Sequence, residues 1–276
     1  VVAHLPGYRG MGPVRVGNQA YEQLQHDVYG AVILAATQSF FDERLGRRGD
    51  LALFRELERA GEQCWQLHDQ PDAGIWEFRG RARVHTFSSA MCWAGVDRLV
   101  RIARRLGLAE REQFWQARAD EMRRRILDAT WDAERGTFTE SWHHPAIDAS
   151  VLLLAELDLV AADDPRFVAT VDCIGHVLRR GPYLMRYAES DDFGAPENAF
   201  NLCTFWYINA LAATGRRDEA RSLFATMLER RNHLGILSED LDPATGELWG
   251  NYPQTYSMVG IINAAMRLSQ TWESAL

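Results

Sequence analysis

Lysine is absent from this 276-residue sequence, and all 30 of its basic residues are arginines. The 38 acidic residues outnumber them, which gives a formal net charge of −8. A nucleic-acid-binding protein needs a basic surface that neutralises phosphates. The charge balance therefore argues against a nucleic-acid partner.

Long apolar runs and a signal-peptide pattern are also absent. No stretch approaches the roughly 18 apolar residues that a membrane-spanning helix needs. We therefore expect no membrane association and a cytoplasmic protein. The first residues, Val1 to His4, are typical of the interior of a domain, which suggests a fragment of a longer protein.

Cysteine is scarce, and no CxxC pair occurs. The spacing of the four cysteines suits neither a disulfide framework nor a zinc site. Each falls within a helical pattern, so we interpret them as reduced core residues: Cys64, Cys92, Cys173 and Cys203. We expect no metal and no organic cofactor.

Strand-type alternation is nearly absent, and helical periodicity dominates. The spacing of apolar residues predicts nine helices, at about residues 19–44, 51–68, 86–106, 109–129, 148–157, 163–180, 198–214, 217–231 and 253–270. Asp164 and Pro165 are typical N-cap and N1 residues of the sixth helix. The pattern indicates an all-α protein.

Long links rich in Trp, Gly and charge alternate with short links between these helices. Long loops on a regular helical scaffold usually carry function. We therefore expect the functional site on one face, where the long loops would meet: 1–18, 69–85, 130–147, 181–197 and 232–253. Within them, residues 131–138 resemble residues 240–250, since each has an Asp, a charged turn, a Gly and then an apolar residue.

Two carboxylates in these loops are candidates for acid/base chemistry. Glu77 lies in the segment Gly74–Gly80, and Glu239 lies in the segment Leu237–Pro243. Cleavage of a glycosidic bond requires one carboxyl group that donates a proton and a second that activates water or attacks the sugar. The pair therefore predicts a glycosidase-type site.

The neighbours of Glu77 favour an acid role. Trp76 and Phe78 flank it, and apolar surroundings favour the protonated form of a carboxyl group. An equally weighted alternative is that Glu77 forms surface ion pairs with the following arginines: Arg79, Arg81 and Arg83.

Glu239 is followed by Asp240 and Asp242, and like charges raise carboxyl pKa values. A base at this position therefore needs compensating donors, for which the candidates are Arg231, Asn232 and His233. Elsewhere, Arg186 beside Tyr187 is suited to holding sugar hydroxyls.

Four segments together resemble glycoside hydrolase family 15, which contains glucoamylases, glucodextranases and bacterial trehalases. They are LPGYRGMGPVRVGNQAYEQLQHDVYG at 5–30, GIWEFRG at 74–80, ENAFNLCTFWYINAL at 197–211 and LSEDLDPATGELWGNYPQTYSMVGIINAA at 237–265. The resemblance implies an (α/α)6 toroid of glucoamylase type. Nine of its twelve helices would be present, so residues 1–276 would form a single, partial catalytic domain that lacks the first helices.

The resemblance also implies roles for individual residues. Glu77 would be the general acid and Glu239 the general base of an inverting reaction. The residues implied to bind substrate are Trp76, Arg186, Tyr8, Arg9 and Arg15, and the matching segments add Glu197, Trp249 and Tyr252. Phe78 stands where fungal members have a second carboxylate, which is closer to the bacterial pattern.

The function implied first is exo-acting release of glucose from the non-reducing ends of α-gluco-oligosaccharides. Trehalose is the alternative substrate within the same family. A third possibility is a helical toroid fragment that binds sugar without catalysis. An upstream part of the same protein or a second copy would be the expected protein partner, and an incomplete toroid would leave an apolar seam exposed.

Overall fold

The computed structural model describes residues 1–191 and 194–269. In this part of the chain, helices dominate as expected. The α-helices are α1 Asp27–Phe41, α2 Leu51–Leu67, α3 Thr86–Arg105, α4 Ala109–Thr130, α5 Pro165–Leu178, α6 Asn201–Ala213, α7 Arg217–Glu229 and α8 Thr255–Leu268. The predicted end of the last helix, Gln270, lies outside the described residues.

Helices α3 and α6 form the centre of the packing. Helix α3 packs against α1, α2 and α4, and α6 packs against α5, α7 and α8. Both helices are buried along most of their length, and their side chains join one apolar core that draws on the other helices. The result is two layers of helices.

The predicted fifth helix is wrong in type, because residues 149–154 form a buried 3₁₀ helix. Its first turn is tied to a neighbouring segment, since the Ala149 N–H donates to the Arg186 carbonyl over 2.8 Å. Asp148 caps the start by accepting the Ser150 N–H over 2.7 Å. These tertiary bonds compete with the regular α-helical pattern.

Helix α1 begins eight residues later than predicted. Residues 19–22 form a 3₁₀ helix, and the chain is then non-helical as far as His26. The reason is tertiary, because the Leu24 carbonyl accepts the Ala73 N–H over 2.8 Å. The segment before α1 therefore bonds to the loop that carries Glu77.

Short strands, which the sequence pattern did not predict, occur within the long loops. Each has two residues: β1 Trp131–Asp132, β2 Thr137–Phe138, β3 Arg179–Arg180, β4 Tyr183–Leu184, β5 Ala199–Phe200, β6 Asp240–Leu241 and β7 Leu248–Trp249. Antiparallel pairs join β1 to β2, β3 to β4 and β5 to β6 to β7. The two loops of similar sequence are thus both hairpins, β1–β2 and β6–β7.

Apolar side chains are exposed on the first and last helices. On α8 they follow helical spacing and include Ile262 at 57% exposure and Met266 at 72%. On α1 they include Val28 and Val32, each about half exposed. Such faces are expected where further helices would pack, which agrees with an incomplete toroid.

No helix in the described part of the chain combines the length and apolarity needed to cross a membrane. The four cysteines are free, and three of them are buried, as predicted for core residues.

Candidate functional site

Glu77 occupies a strained position in a tight turn. Its φ angle is 58°, in the left-handed region that non-glycine residues rarely adopt. The turn is closed by the Phe78 N–H, which donates to the Ala73 carbonyl over 3.0 Å. The Gln23 side-chain amide donates to the Glu77 carbonyl over 2.7 Å. Bonds from two directions therefore hold an unfavourable backbone conformation in place.

The Glu77 side chain itself is exposed. The expectation that Trp76 and Phe78 enclose it is wrong, because Phe78 is buried away from it against His85 and Tyr187. Two of the three arginines that were alternative ion-pair partners of Glu77 do not pair with it. Arg81 and Arg83 pair with another two carboxylates, Glu140 and Glu189.

Trp76 is fixed by a carboxylate that sequence reasoning missed. Its indole Nε1–H donates to Asp148 Oδ2 over 2.6 Å. Asp148 is 1% exposed, and burial together with the charge of Glu140 raises its pKa to about 6, against the hydrogen bonds from Ser150 and Trp76. Trp76 thus supplies one of the donors that make a buried carboxylate tolerable.

Replacing Trp76 with Phe is expected to lower the free energy of unfolding by about 1–3 kcal/mol at pH 7, because it leaves one Asp148 oxygen without its donor. Urea denaturation measures the change. Trp142→Phe is the matched control, since the buried Trp142 Nε1–H has no hydrogen-bond partner in the described structure. Equal losses in the two variants would show that the Trp76–Asp148 bond adds no stability.

Arg186 lies within an aromatic group that includes Trp76. Its guanidinium carbon is 5.4 Å from the Tyr187 ring centroid, 5.6 Å from Phe200 and 6.0 Å from Trp76. Trp206 extends the group, with its ring 5.9 Å from Trp76. A planar guanidinium beside aromatic faces is suited to sugar hydroxyls and to the apolar face of a sugar ring.

Glu239 is held by a hairpin rather than by its sequence neighbours. Its Oε2 accepts the backbone N–H of Asn251 over 3.1 Å and the side-chain amide of Asn251 over 3.0 Å. Gln254 donates to its Oε1 over 3.3 Å. The predicted donors Arg231, Asn232 and His233 are thus replaced by residues that strand pairing brings opposite Glu239.

Asp240, the next residue, is a second unusual carboxylate. Burial raises its pKa to about 7, Arg186 opposes the shift, and Glu239 adds to it. Its Oδ1 is buried without a hydrogen-bond partner. The arrangement leaves a polar atom beside Arg186 and Glu239 that a substrate hydroxyl could satisfy.

The loops that carry Glu77 and Glu239 meet at strand β5. The Trp76 ring contacts the Phe200 ring with centroids 5.6 Å apart, and Phe200 pairs with Asp240 in the sheet. The N–H of Asn201, which directly follows β5, donates to the Glu239 carbonyl over 3.0 Å. Residues separated by 162 positions are thereby brought to one face.

The N-terminal loop adds part of the predicted binding set. Tyr8 packs edge-on against Trp249, with ring centroids 5.3 Å apart. Arg9 lies 5.4 Å from the Trp249 ring and forms an ion pair with Glu247. The loop is thereby docked on the β6–β7 hairpin, beside the strand that follows Glu239.

Three further residues were predicted to bind substrate, and all three are exposed. Arg15 and Glu197 are exposed. Tyr252 is 48% exposed, and its hydroxyl is bonded to the Asn232 side chain. A binding role for these three residues, like the roles of the other candidates, stays a prediction.

A buried ionic cluster lies beneath the Glu77 turn. His85 is 4% exposed and stands between Asp72 and Glu140, with Nδ1–Oδ1 at 2.8 Å and Nε2–Oε1 at 3.5 Å. Burial favours a neutral ring, but the hydrogen bond to Asp72 and the negative charges of Asp72 and Glu140 outweigh it and raise the His85 pKa to about 9. Burial by itself would raise the pKa of Glu140, but the neighbouring His85 and Arg83 lower it to about 2.

The cluster makes stability depend on pH in a defined direction. The raised pKa of His85 adds stability that is complete below pH 6.5 and is lost as the pH rises through about 9. We expect the free energy of unfolding to fall by about 3 kcal/mol at most across this window. His85→Asn should remove that part of the slope in urea denaturation at matched pH values. An unchanged slope would contradict the assignment.

The fold and site together define the α/α-toroid class. Each loop with candidate residues precedes a helical element. The Glu77 loop precedes α3, and Asp148 precedes the 3₁₀ helix. Arg186 and Phe200 precede α6, and Glu239 precedes α8. The two candidate carboxylates and the aromatic group therefore lie in loops that each precede a helical element.

Comparison with known proteins identifies the family. The family model "Glycosyl hydrolases family 15" matches residues 3–266, and the chain belongs to this family. The solved structure of a wild-type glycosidase superposes with a TM-score of 0.75 at 19% identity, covering 96% of this chain and 74% of that one. A bacterial glucoamylase complexed with acarbose gives a TM-score of 0.61 at 18% identity, covering 90% of this chain and 49% of that one. These likenesses confirm the α/α-toroid fold.

The sequence is also similar to proteins named trehalase. That of Thermoplasma volcanium is 34% identical over 268 residues, which are 96% of this chain and 42% of the relative. That of Thermoplasma acidophilum is 35% identical, with coverages of 96% and 45%. That of Mycobacterium tuberculosis is 35% identical, with coverages of 99% and 40%. The chain thus spans less than half the length of these relatives.

Proposed function

We propose that this chain carries the acid/base site of an inverting trehalase, which hydrolyses the α,α-1,1 bond of trehalose to two glucose molecules. The observation that carries the proposal is the similarity to several trehalases over nearly the whole chain. Among the two substrates that the sequence left open, these relatives favour trehalose over α-gluco-oligosaccharides.

The mechanism assigned to the site uses the two loop carboxyls. Glu77, in its protonated form, donates its proton to the bridging oxygen as the bond breaks. Glu239, held in place by Asn251 and Gln254, removes a proton from a water molecule that attacks the anomeric carbon from the opposite side. Because Glu77 is exposed in the chain alone, bound sugar must exclude water from it.

Sugar binding is assigned to the aromatic group around Arg186. The rings of Trp76, Tyr187 and Phe200 provide apolar faces, and the guanidinium provides donors to hydroxyl groups. Asp240 Oδ1 supplies a nearby acceptor, or a donor when the group is protonated. Tyr8, Arg9 and Trp249 form an outer rim in this arrangement.

Glucose release from a panel of substrates tests the assignment. The chain is incubated separately with trehalose, maltotriose and isomaltose, and glucose is measured enzymatically. We expect trehalose to be hydrolysed at least about tenfold faster, as measured by kcat/KM. Preference for maltotriose would support the exo-glucosidase reading instead. Calorimetric binding of sugar without any release would support the non-catalytic toroid.

A further inference from the structure

The start of the Glu77 turn is fixed by one buried carboxylate. Asp72 Oδ1 accepts the Gly74 N–H over 3.1 Å and His85 Nδ1 over 2.8 Å. Its Oδ2 accepts the His26 N–H over 2.9 Å and the Ser88 hydroxyl over 2.7 Å. Asp72 thereby connects the turn to the start of α1 and to the first turn of α3.

His85 supports both ends of the same turn. At one end it bonds Asp72, and at the other its ring stacks on Phe78, with centroids 5.7 Å apart and planes inclined by 23°. The guanidinium carbon of Arg81 also lies 3.8 Å from the Phe78 ring centroid. Phe78 directly follows Glu77, so the position of the His85 ring limits where Glu77 can lie.

Both ring nitrogens of His85 face carboxylates. Nε2 faces Glu140 Oε1 at 3.5 Å, while Nδ1 faces Asp72. A neutral imidazole has only one N–H, whereas the cation donates from both nitrogens. Two carboxylates on opposite sides of the ring therefore hold it in one orientation.

We propose that the His85 ring, held between Asp72 and Glu140, is the positioning residue that sets the geometry of the Glu77 turn for proton donation. The proposal rests on the acid role assigned to Glu77 under the proposed function. His85 does not touch the substrate; it acts through Asp72 and Phe78. Loss of its charge or of its ring loosens the turn and moves the Glu77 carboxyl relative to the bridging oxygen.

Other charged groups face this ring or its carboxylate partners, and their titration must be separated from that of His85. Those nearest are Asp72, Glu140, Arg81, Arg83, Glu189 and His144, with Asp27 facing Asp72 and Asp148 facing Glu140. A substitution at residue 85 is therefore more informative than a pH profile of the unchanged chain alone.

The test compares a substrate that needs an acid with one that does not. Fluoride leaves α-glucosyl fluoride without full protonation, whereas the glucose leaving group of trehalose needs a proton donor. We expect His85→Ala to lower kcat on trehalose by about 100-fold with little change in KM, and to change kcat on α-glucosyl fluoride by less than about threefold. His85→Asn, which keeps a donor towards Asp72, should recover about tenfold of the loss on trehalose.

His68→Asn is the matched control, because the His68 ring is also buried but, within the described structure, its one hydrogen bond is to the Trp65 carbonyl on α2 and none is to a carboxylate. It should affect both substrates alike. Parallel losses on trehalose and fluoride in His85→Ala, or no loss on either, would overturn the positioning role. If the unsubstituted protein hydrolyses neither trehalose nor α-glucosyl fluoride, the result would instead count against the proposed function.

A second measurement needs no activity. Amide hydrogen exchange should accelerate at least about tenfold at Gly74 and Phe78 in His85→Ala, because Asp72, which accepts the Gly74 N–H, and the Phe78 ring both lose their contact with the His85 ring. The Glu239 N–H, which donates to the Asn251 carbonyl over 2.9 Å in the other loop, should be unchanged. Unchanged exchange at Gly74 and Phe78 would refute the proposal even if the chain hydrolyses no substrate.

Discussion

Replacing Glu77 with Gln is expected to lower kcat on trehalose by about 10²- to 10⁴-fold, because the amide cannot donate the proton that the leaving oxygen needs. The side chain is exposed, so the free energy of unfolding should change by less than about 0.5 kcal/mol. Initial rates of glucose release, with urea denaturation in parallel, separate the two effects.

Glu134→Gln is a suitable control, since Glu134 is an exposed carboxylate in the turn of the similar β1–β2 hairpin. It should leave kcat within about twofold of the unchanged chain, as expected for a surface residue away from the site. A near-normal rate for Glu77→Gln would remove Glu77 from the acid role. The left-handed turn at Glu77 would then need another explanation.

Replacing Glu239 with Ala should have an effect of similar size, about 10²- to 10⁴-fold on kcat, because the attacking water loses its base. The truncation also leaves space beside Asn251 and Gln254. Azide, a nucleophile that needs no base, should restore cleavage there. In an inverting site it attacks from the side of the lost carboxylate, so the product should be β-glucosyl azide.

The anomer of the azide product distinguishes the two stereochemical classes. Formation of α-glucosyl azide would contradict the placement of Glu239 opposite the leaving group. Glu229→Ala, at an exposed end of α7, is the control and should need no azide. Full activity of Glu239→Ala without azide would remove Glu239 from the base role.

Much of the helical scaffold could be predicted from the sequence, because amphipathic spacing is a local signal. Asp164 caps α5 by accepting the Arg166 N–H over 2.9 Å, as its position before Pro165 indicates. Residues 149–154 form a 3₁₀ helix instead of the predicted α-helix. The Ala149 N–H bonds to the distant Arg186 carbonyl, and a local sequence pattern cannot predict such a bond.

The site could be predicted less completely, for the same reason. Glu77 and Glu239 stand out in Gly-bounded loops, but the groups that hold them come from distant positions. Asn251 lies opposite Glu239 only because β6 and β7 pair. Asp148, which accepts the hydrogen bond from the Trp76 indole, lies 72 positions away in the sequence. The Phe78 ring packs against His85 rather than beside Glu77.

Inverting hydrolysis by Glu77 and Glu239 can be tested by proton NMR of the first products formed from trehalose. Water attack with inversion gives one β-glucose, and the departing glucose keeps its α configuration. Equal initial amounts of α- and β-glucose are therefore expected before mutarotation. Initial formation of α-glucose alone would show retention and contradict the assigned roles of the two carboxyls.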